Sequence, residues 1–322
     1  MDRNFGGKSI ANVTQVPIHT YSSDNKPSTQ LTAGRKEQRF HCSQPLKANS
    51  ATKKIKRLFP SELISEIASN TTLQRVFEAV YQRRKKDSYN SDLWDLILHW
   101  EEFREQLFSG EYQLSPMHTY STSEGLVSRF GPQDVVVLKS LSLILAPLIK
   151  AYVGERCYHL AGCGGVYGAA KEVARQLPHY TYVIKSDVSS FYDTMNHAVL
   201  MREIKHVITD KKIIRLIYQY LNRCDVLDGE HRLITRGILM GCRLSPLMRA
   251  IALKSLDAVV ESGCAYVRYM DDWVILTKTH SALRRIIRKM HRVLQTIKFK
   301  LARDKTFIGS IPSGFDFLGI AL

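Results

Sequence analysis

The stretch YVRYMDDWVIL, residues 266–276, sets two carboxylates side by side inside a run that otherwise asks to be buried. Tyr266, Val267, Tyr269, Trp273, Val274, Ile275 and Leu276 are β-branched, aromatic or aliphatic, the composition of a strand. Asp271 and Asp272 are the residues that a strand interior tolerates least. Adjacent anions repel, and burying either without a cation costs several kcal/mol. A hairpin resolves part of the difficulty by placing the pair at a tip between rigid strands, and a bound cation would resolve the rest.

The best partner for that pair is YTYVIKSDVSSFYD, residues 180–193. Tyr182, Val183 and Ile184 read as a strand, Asp187 arrives as it ends, and aromatic residues and Asp193 follow. A strand delivering one Asp beside a hairpin delivering two more makes an oxygen cluster suited to Mg²⁺, which keeps waters and substrate phosphates as its other ligands. Mn²⁺ is the alternative ion for the same oxygens. Two such ions about 3.5–4 Å apart stabilise both the attacking and the leaving oxygen of an in-line phosphoryl displacement.

The composition points the same way. The chain has 322 residues, with Lys+Arg 46 against Asp+Glu 30, a formal net charge of +16 and a pI near 9.6. A field of that size implies a polyanionic partner such as nucleic acid. Six cysteines without paired spacing fit a reducing compartment better than a disulfide framework. There is no apolar leader and no run of eighteen apolar residues, so a cytoplasmic protein with no membrane partner is expected.

By texture the chain divides into three. Residues 1–55 are polar and basic, which predicts a flexible arm or one that folds on a partner. Residues 56–178 read as a helical region: Leu73, Val76, Phe77, Val80 and Tyr81 recur at helical spacing before the basic cluster 83–86. Ser91 is placed to cap a helix carrying Leu93, Leu96, Ile97, Trp100 and Leu107, closed by Gly110, and 135–149 reads as a buried helix. Residues 179–322 alternate strand-like and helix-like runs. Within them, RGILMGCRLSP (236–246) is a loop entering a helix, with Ser245 suited to its N-cap and Pro246 to its first turn. Gly241 would let backbone approach a flat ligand. Leu283, Ile286, Ile287, Met290, Leu294 and Ile297 then stripe one face of a helix whose other face is crowded with Arg and Lys.

In order along the chain, SDVSSFYD, MGCRLSP, YMDD, DKT and FDFLG resemble motifs A to E of the reverse transcriptases, in the bacterial group II intron-like branch. The resemblance covers roughly residues 110–322 and implies an α+β fold: a right-hand polymerase palm, an antiparallel sheet with packed helices, plus helical fingers. It assigns metal binding to Asp187, Asp271 and the Val188 backbone oxygen, with Asp272 completing the cluster. Tyr192 falls at the steric-gate position that excludes a ribose 2′-hydroxyl, and Ser189, Ser190 and Phe191 lie where backbone cradles the incoming triphosphate. Lys305 matches the motif D lysine that protonates pyrophosphate, and Phe317, Leu318 and Gly319 match the primer grip. The implied partners are an RNA template, a DNA or RNA primer and deoxynucleoside triphosphates.

The chain also departs from the pattern. Met240 stands where many relatives have Gln before Gly241, and a thioether cannot hydrogen-bond as an amide does. EGLVSRFGPQD lacks the Lys/Arg pair of a triphosphate clamp, leaving Arg129 as the candidate. Cys157, His159 and Cys163 are too irregularly spaced to predict zinc. The sequence given stops three residues after FLG, so a thumb absent or minimal is expected, with a dedicated non-coding RNA or a second subunit in its place. An orphan or antiviral-defence enzyme is the implied setting. The alternatives are a template-independent or RNA-nucleotide polymerase, which a small residue at Tyr192 would have favoured, and a non-catalytic RNA-binding palm, which the intact acidic set argues against.

Overall fold

The computed structural model describes residues 60–84, 91–123, 125–260 and 262–322. The expected arm, residues 1–55, and the lysines of the 83–86 cluster lie outside the described residues. The first helices are α1 (Pro60–Ile67), α2 (Asn70–Arg84), α3 (Ser91–Leu98) and α4 (Trp100–Ser109). They are followed by β1 (Met117–Thr122), β2 (Gly125–Arg129), α5 (Pro132–Val153) and α6 (Gly165–Gln176). Next come β3 (Tyr182–Ser186), α7 (Phe191–Thr194), α8 (His197–Val207), α9 (Lys211–Leu221), β4 (Cys224–Leu227) and β5 (Glu230–Leu233). Then follow α10 (Ser245–Ala252), α11 (Lys254–Asp257), β6 (Ala265–Tyr269), β7 (Asp272–Thr277) and α12 (His280–Thr296). The short strands β8 (Phe307–Ser310), β9 (Asp316–Phe317) and β10 (Ile320–Ala321) end the chain.

The centre is an antiparallel sheet ordered β6-β7-β3-β8. Both faces are covered, which explains why its strands read as nearly continuous apolar runs. Val183, Val267, Val274 and Leu276 face α6 and the β9–β10 hairpin, through Ala169, Val173 and Phe317. Ile184, Tyr266, Trp273 and Ile275 face the larger core, to which α12 contributes Leu283, Ile286, Met290 and Leu294. Adjacent residues of each strand thus enter opposite cores, as the pleat requires. A second sheet, β2-β1-β4-β5, joins strands from either side of residue 178. The structure is α+β, the palm-and-fingers arrangement that the motifs imply.

Several local expectations are corrected. The helix starting at Ser91 is two helices broken at His99, and Ile97 points to solvent at 42% exposure instead of joining the apolar side. Ser245 does not cap α10: its hydroxyl donates to the Leu239 carbonyl and pairs with the Tyr220 hydroxyl at 2.8 Å, tying down the preceding loop. Pro246 does occupy the first turn. Helix α5 is long and apolar enough by length and composition to cross a bilayer. Its Val136, Val137, Leu141, Leu145 and Ile149 are nevertheless fully buried in the core, against helices that include α2 and α10.

One polar anchor ties sheet to helix. Arg268, fully buried in β6, donates from Nε and Nη2 to the two Asp257 carboxylate oxygens, each at 2.8 Å. Tyr266 Oη adds a 2.7 Å bond to the same carboxylate. Removing one partner of a buried pair strands the other charge, which costs about 3–5 kcal/mol. Asp257→Ala should therefore lower unfolding stability by about that amount, read as a shifted denaturant midpoint at an unchanged m-value.

Candidate active site

The β3–β7 register creates the site. Ser186 pairs with Trp273, so the residues one step further, Asp187 and Asp272, meet across the strands. Tyr269 pairs with Asp272, which leaves Met270 and Asp271 as the two-residue turn of the β6–β7 hairpin. The ligand oxygens of Asp187, Asp271 and Asp272 all lie within 4.8 Å of one another. Like charges directly opposite on a sheet are destabilising, so this spacing needs cations.

Two side chains supply part of that charge. Arg249 of α10, only 3% exposed, donates from Nη1 to Asp271 Oδ1 at 3.0 Å. Lys305 Nζ donates to Asp187 Oδ2 at 2.8 Å. They do not neutralise the cluster. Burial, then the neighbouring carboxylates, push Asp272 up to about 6. Burial and Asp187 also raise Asp271, against the opposing pull of Arg249. The bond to Asp187 holds the Lys305 ammonium above its ordinary range. Three converging hard oxygens with residual negative charge fit a divalent cation of the Mg²⁺ type.

The strand end is arranged around this cluster. Val188 and Leu301 form a bridge carried by Ser189 N–H to Lys300 O and Ala302 N–H to Asp187 O, both 2.9 Å, so the Val188 carbonyl is not spent on it. The Val188 amide donates to Asp187 Oδ1 at 2.7 Å. The Ser189 amide, expected to help cradle a triphosphate, and the neighbouring Val188 amide are therefore engaged within the protein. The Phe191 side chain is core, stacked on Phe299 with centroids 5.0 Å apart. Tyr192 is half-buried, and the Arg249 guanidinium lies 4.4 Å from its ring centroid. One arginine thus braces both the Asp271 carboxylate and the Tyr192 ring.

Gly237 makes a close approach within the protein itself. A Cβ on Gly237 would fall 2.6 Å from the Tyr192 carbonyl oxygen, and its φ is +85°. Gly241 has open space around the corresponding position but a φ of +79°. Arg129, Met240 and Gly241 line a cavity of about 410 Å³ together with Arg83, Lys139 and Arg243. Burial, then Arg83 and Arg243, lower the Lys139 pKa. Helix α10 follows directly from this cavity's Gly241–Arg243 edge and carries Arg249 to Asp271.

The FDFLG segment folds as a tight hairpin. Leu318 and Gly319 both have positive φ, +54° and +77°, the pattern of a type I′ turn. Phe317 is fully buried in the smaller core, Leu318 packs half-buried against it and Gly319 is exposed. Sequence reasoning missed Arg249 and Gly237; the signal for Arg249 was a lone cation between Met248 and Ala250 in an otherwise apolar stretch of helix.

Comparisons with known proteins bear on the family and the fold. The family described as reverse transcriptase (RNA-dependent DNA polymerase) matches residues 136–322. Protein YkfC of Escherichia coli (strain K12) is 26% identical over 270 residues, 70% of this chain and 71% of that protein. The putative COX1/OXI3 intron 1 protein of Saccharomyces cerevisiae is 22% identical over 228 residues, 67% of this chain. A telomerase from Candida albicans, solved with a fragment of telomeric RNA, superposes with a TM-score of 0.52 at 12% identity over 65% of this chain. That likeness bears on the fold alone. The chain spans 27% of the intron protein and 44% of the telomerase. The likeness to an intron protein agrees with the group II-like branch that the motifs resemble. Since the matched segment is more than half of the sequence, the chain belongs to the reverse transcriptase family, the RNA-directed DNA polymerases.

Proposed function

We propose that this chain extends a primer 3′-hydroxyl with deoxynucleotides on an RNA template, at the cluster of Asp187, Asp271 and Asp272. The observation that carries the reading is their convergence, ligand oxygens within 4.8 Å of one another, at a strand register that leaves net negative charge. Two divalent ions held there by these carboxylates and the Val188 carbonyl, Mg²⁺ or Mn²⁺, would supply charge neutralisation for an in-line phosphoryl displacement.

The protein's own groups orient the reactants. Tyr192, braced by Arg249, presents a rigid ring beside the cluster, where a ribose 2′-oxygen would collide and a deoxyribose would not. Lys305 is 60% exposed at its side chain with Nζ 2.8 Å from Asp187, and its ammonium is positioned to give a proton to departing pyrophosphate. The cavity lined by Arg83, Arg129, Lys139 and Arg243 has the charge and size to follow a nucleic-acid backbone, with Met240, 70% exposed, offering apolar contact to a base. Closure over the product duplex by a dedicated RNA or a second subunit belongs to the same reading.

Asp271→Asn should abolish primer extension while leaving the thermal unfolding midpoint within a few degrees, because it removes cluster charge yet keeps an amide oxygen to accept from the buried Arg249. A variant that still extends primers would place the chemistry elsewhere. Tyr192→Ala should raise ribonucleotide incorporation relative to deoxynucleotide incorporation by about tenfold or more, measured as a ratio of kcat/KM values. Because protons compete with metal for carboxylates, the Mg²⁺ concentration giving half-maximal rate should rise as pH falls through about 6, where Asp272 protonates.

A further inference from the structure

We propose that His159, whose ring nitrogens meet main-chain groups of Met270 and Pro246, is a positioning residue that fixes the Asp271–Asp272 turn to the start of α10; its catalytic consequence rests on the polymerase reading above. Met270 adopts a φ of +59°, a conformation that a residue with a side chain occupies only when its surroundings enforce it. Here both of its main-chain groups are gripped by side chains. The Met270 amide donates to His159 Nδ1 at 3.1 Å, and its carbonyl accepts from Arg268 Nη1 at 3.2 Å.

The geometry also fixes the imidazole's proton. Nδ1 accepts the Met270 N–H and so carries no proton, which leaves the Cys157 thiol, 3.3 Å from the same nitrogen, able only to donate to it. Nε2 lies 3.0 Å from the Pro246 carbonyl, which can only accept, so Nε2 must donate. The ring is the neutral Nε2–H tautomer. Its carrier is zipped onto β6: Arg268 N–H donates to Arg156 O at 3.1 Å and Tyr158 N–H to Arg268 O at 2.8 Å.

The result is a closed circuit. Met270 leads to Asp271, Asp271 binds Arg249, Arg249 rides on α10, and the first turn of α10 returns through Pro246 to His159 and Met270. Because the circuit closes, the acidic turn and the helix bearing its counter-cation move as one body. Partners one step removed from metal ligands typically change metal affinity or activity by about 10–100-fold when lost.

Two substitutions separate the two bonds. The Asn amide oxygen reaches the place of Nδ1, so His159→Asn keeps an acceptor for Met270 and loses Pro246. The Gln amide nitrogen reaches the place of Nε2, so His159→Gln keeps the Pro246 bond and loses Met270. We expect His159→Gln to lower kcat by about tenfold or more and raise the Mg²⁺ requirement, with the nucleotide KM changed far less, and His159→Asn to recover most of that loss. Equal behaviour of the two would overturn the proposal. A readout without catalysis completes the test: selective ¹⁵N-methionine labelling of a chain with eight Met residues resolves the Met270 amide. That resonance should shift and exchange faster in His159→Gln and stay near its place in His159→Asn. In the unmutated protein, a long-range histidine ¹⁵N spectrum should show the Nε2–H tautomer, and an Nδ1–H tautomer would overturn the proposal with no variant needed. Active enzyme whose Met270 amide ignores His159 refutes the positioning role alone. A Met270 amide that follows His159 in a protein without primer extension refutes the polymerase reading alone.

Discussion

Three carboxylates forced into one another's fields are the constraint around which the rest of the fold is arranged. The β3–β7 register makes Asp187 and Asp272 neighbours, and the two-residue turn adds Asp271. Within the sheet Lys185 of β3 offsets part of that repulsion at Asp272, and the cations bonded to the cluster come from outside it: Arg249 from α10 and Lys305 from the turn before β8. The two are not equivalent. Arg249 is buried, planar and fixed against two aromatic rings, whereas the Lys305 side chain is mostly exposed. A guanidinium suits a permanent brace and an ammonium on a flexible stem suits a group that must let go. Two cations against three carboxylates still leave a demand for positive charge, and burial together with the neighbouring carboxylates displaces Asp271 and Asp272 upward.

Stiffness is the second requirement, and the two-sided core provides it. A sheet exposed on one face could bend under this repulsion; this one is packed between α6 with the β9–β10 hairpin and the larger core with α12. Phe317, one of the three residues that match the primer grip, contributes its side chain to that packing. The buried Arg268 plays a double part, since the guanidinium that binds Asp257 also reaches the Met270 carbonyl. Core stability and the shape of the acidic turn therefore draw on the same side chain.

The legible and illegible parts of the sequence differ in physical kind. The acidic triad, Tyr192 and the strands that carry them were readable because each lies within a short local pattern: an apolar run interrupted by Asp, or an Asp followed at fixed spacing by aromatics. The amphipathic helix 280–296 was readable from its period. What stayed hidden depends on long-range approach. Gly237 looks like any loop glycine until it meets the Tyr192 carbonyl, an approach that no local pattern announces. Ser245 has the residue type and position of a helix cap, yet its hydroxyl is drawn to Leu239 and Tyr220 instead. Arg249 and His159 act through partners 22 and 111 residues away, separations at which periodicity carries no information.

Two non-glycine residues with positive φ, Ser190 at +45° and Met270 at +59°, sit on either arm of the acidic cluster. Each such residue stores of order 1–3 kcal/mol that its surroundings must enforce. Glycine at either place would remove the strain, but it would also let the arm explore alternative conformations. A strained residue with a side chain, once held, leaves a single geometry. Ser190 is held through its carbonyl by the amides of Asp193 and Thr194, both at 3.0 Å, which fixes α7 and with it Tyr192. Met270 is held through amide and carbonyl by His159 and Arg268. Local instability on both arms is thus exchanged for a fixed disposition of Asp187, Asp271 and the tyrosine ring, and in-line chemistry rewards that exchange because small misplacements of reacting groups are costly in rate.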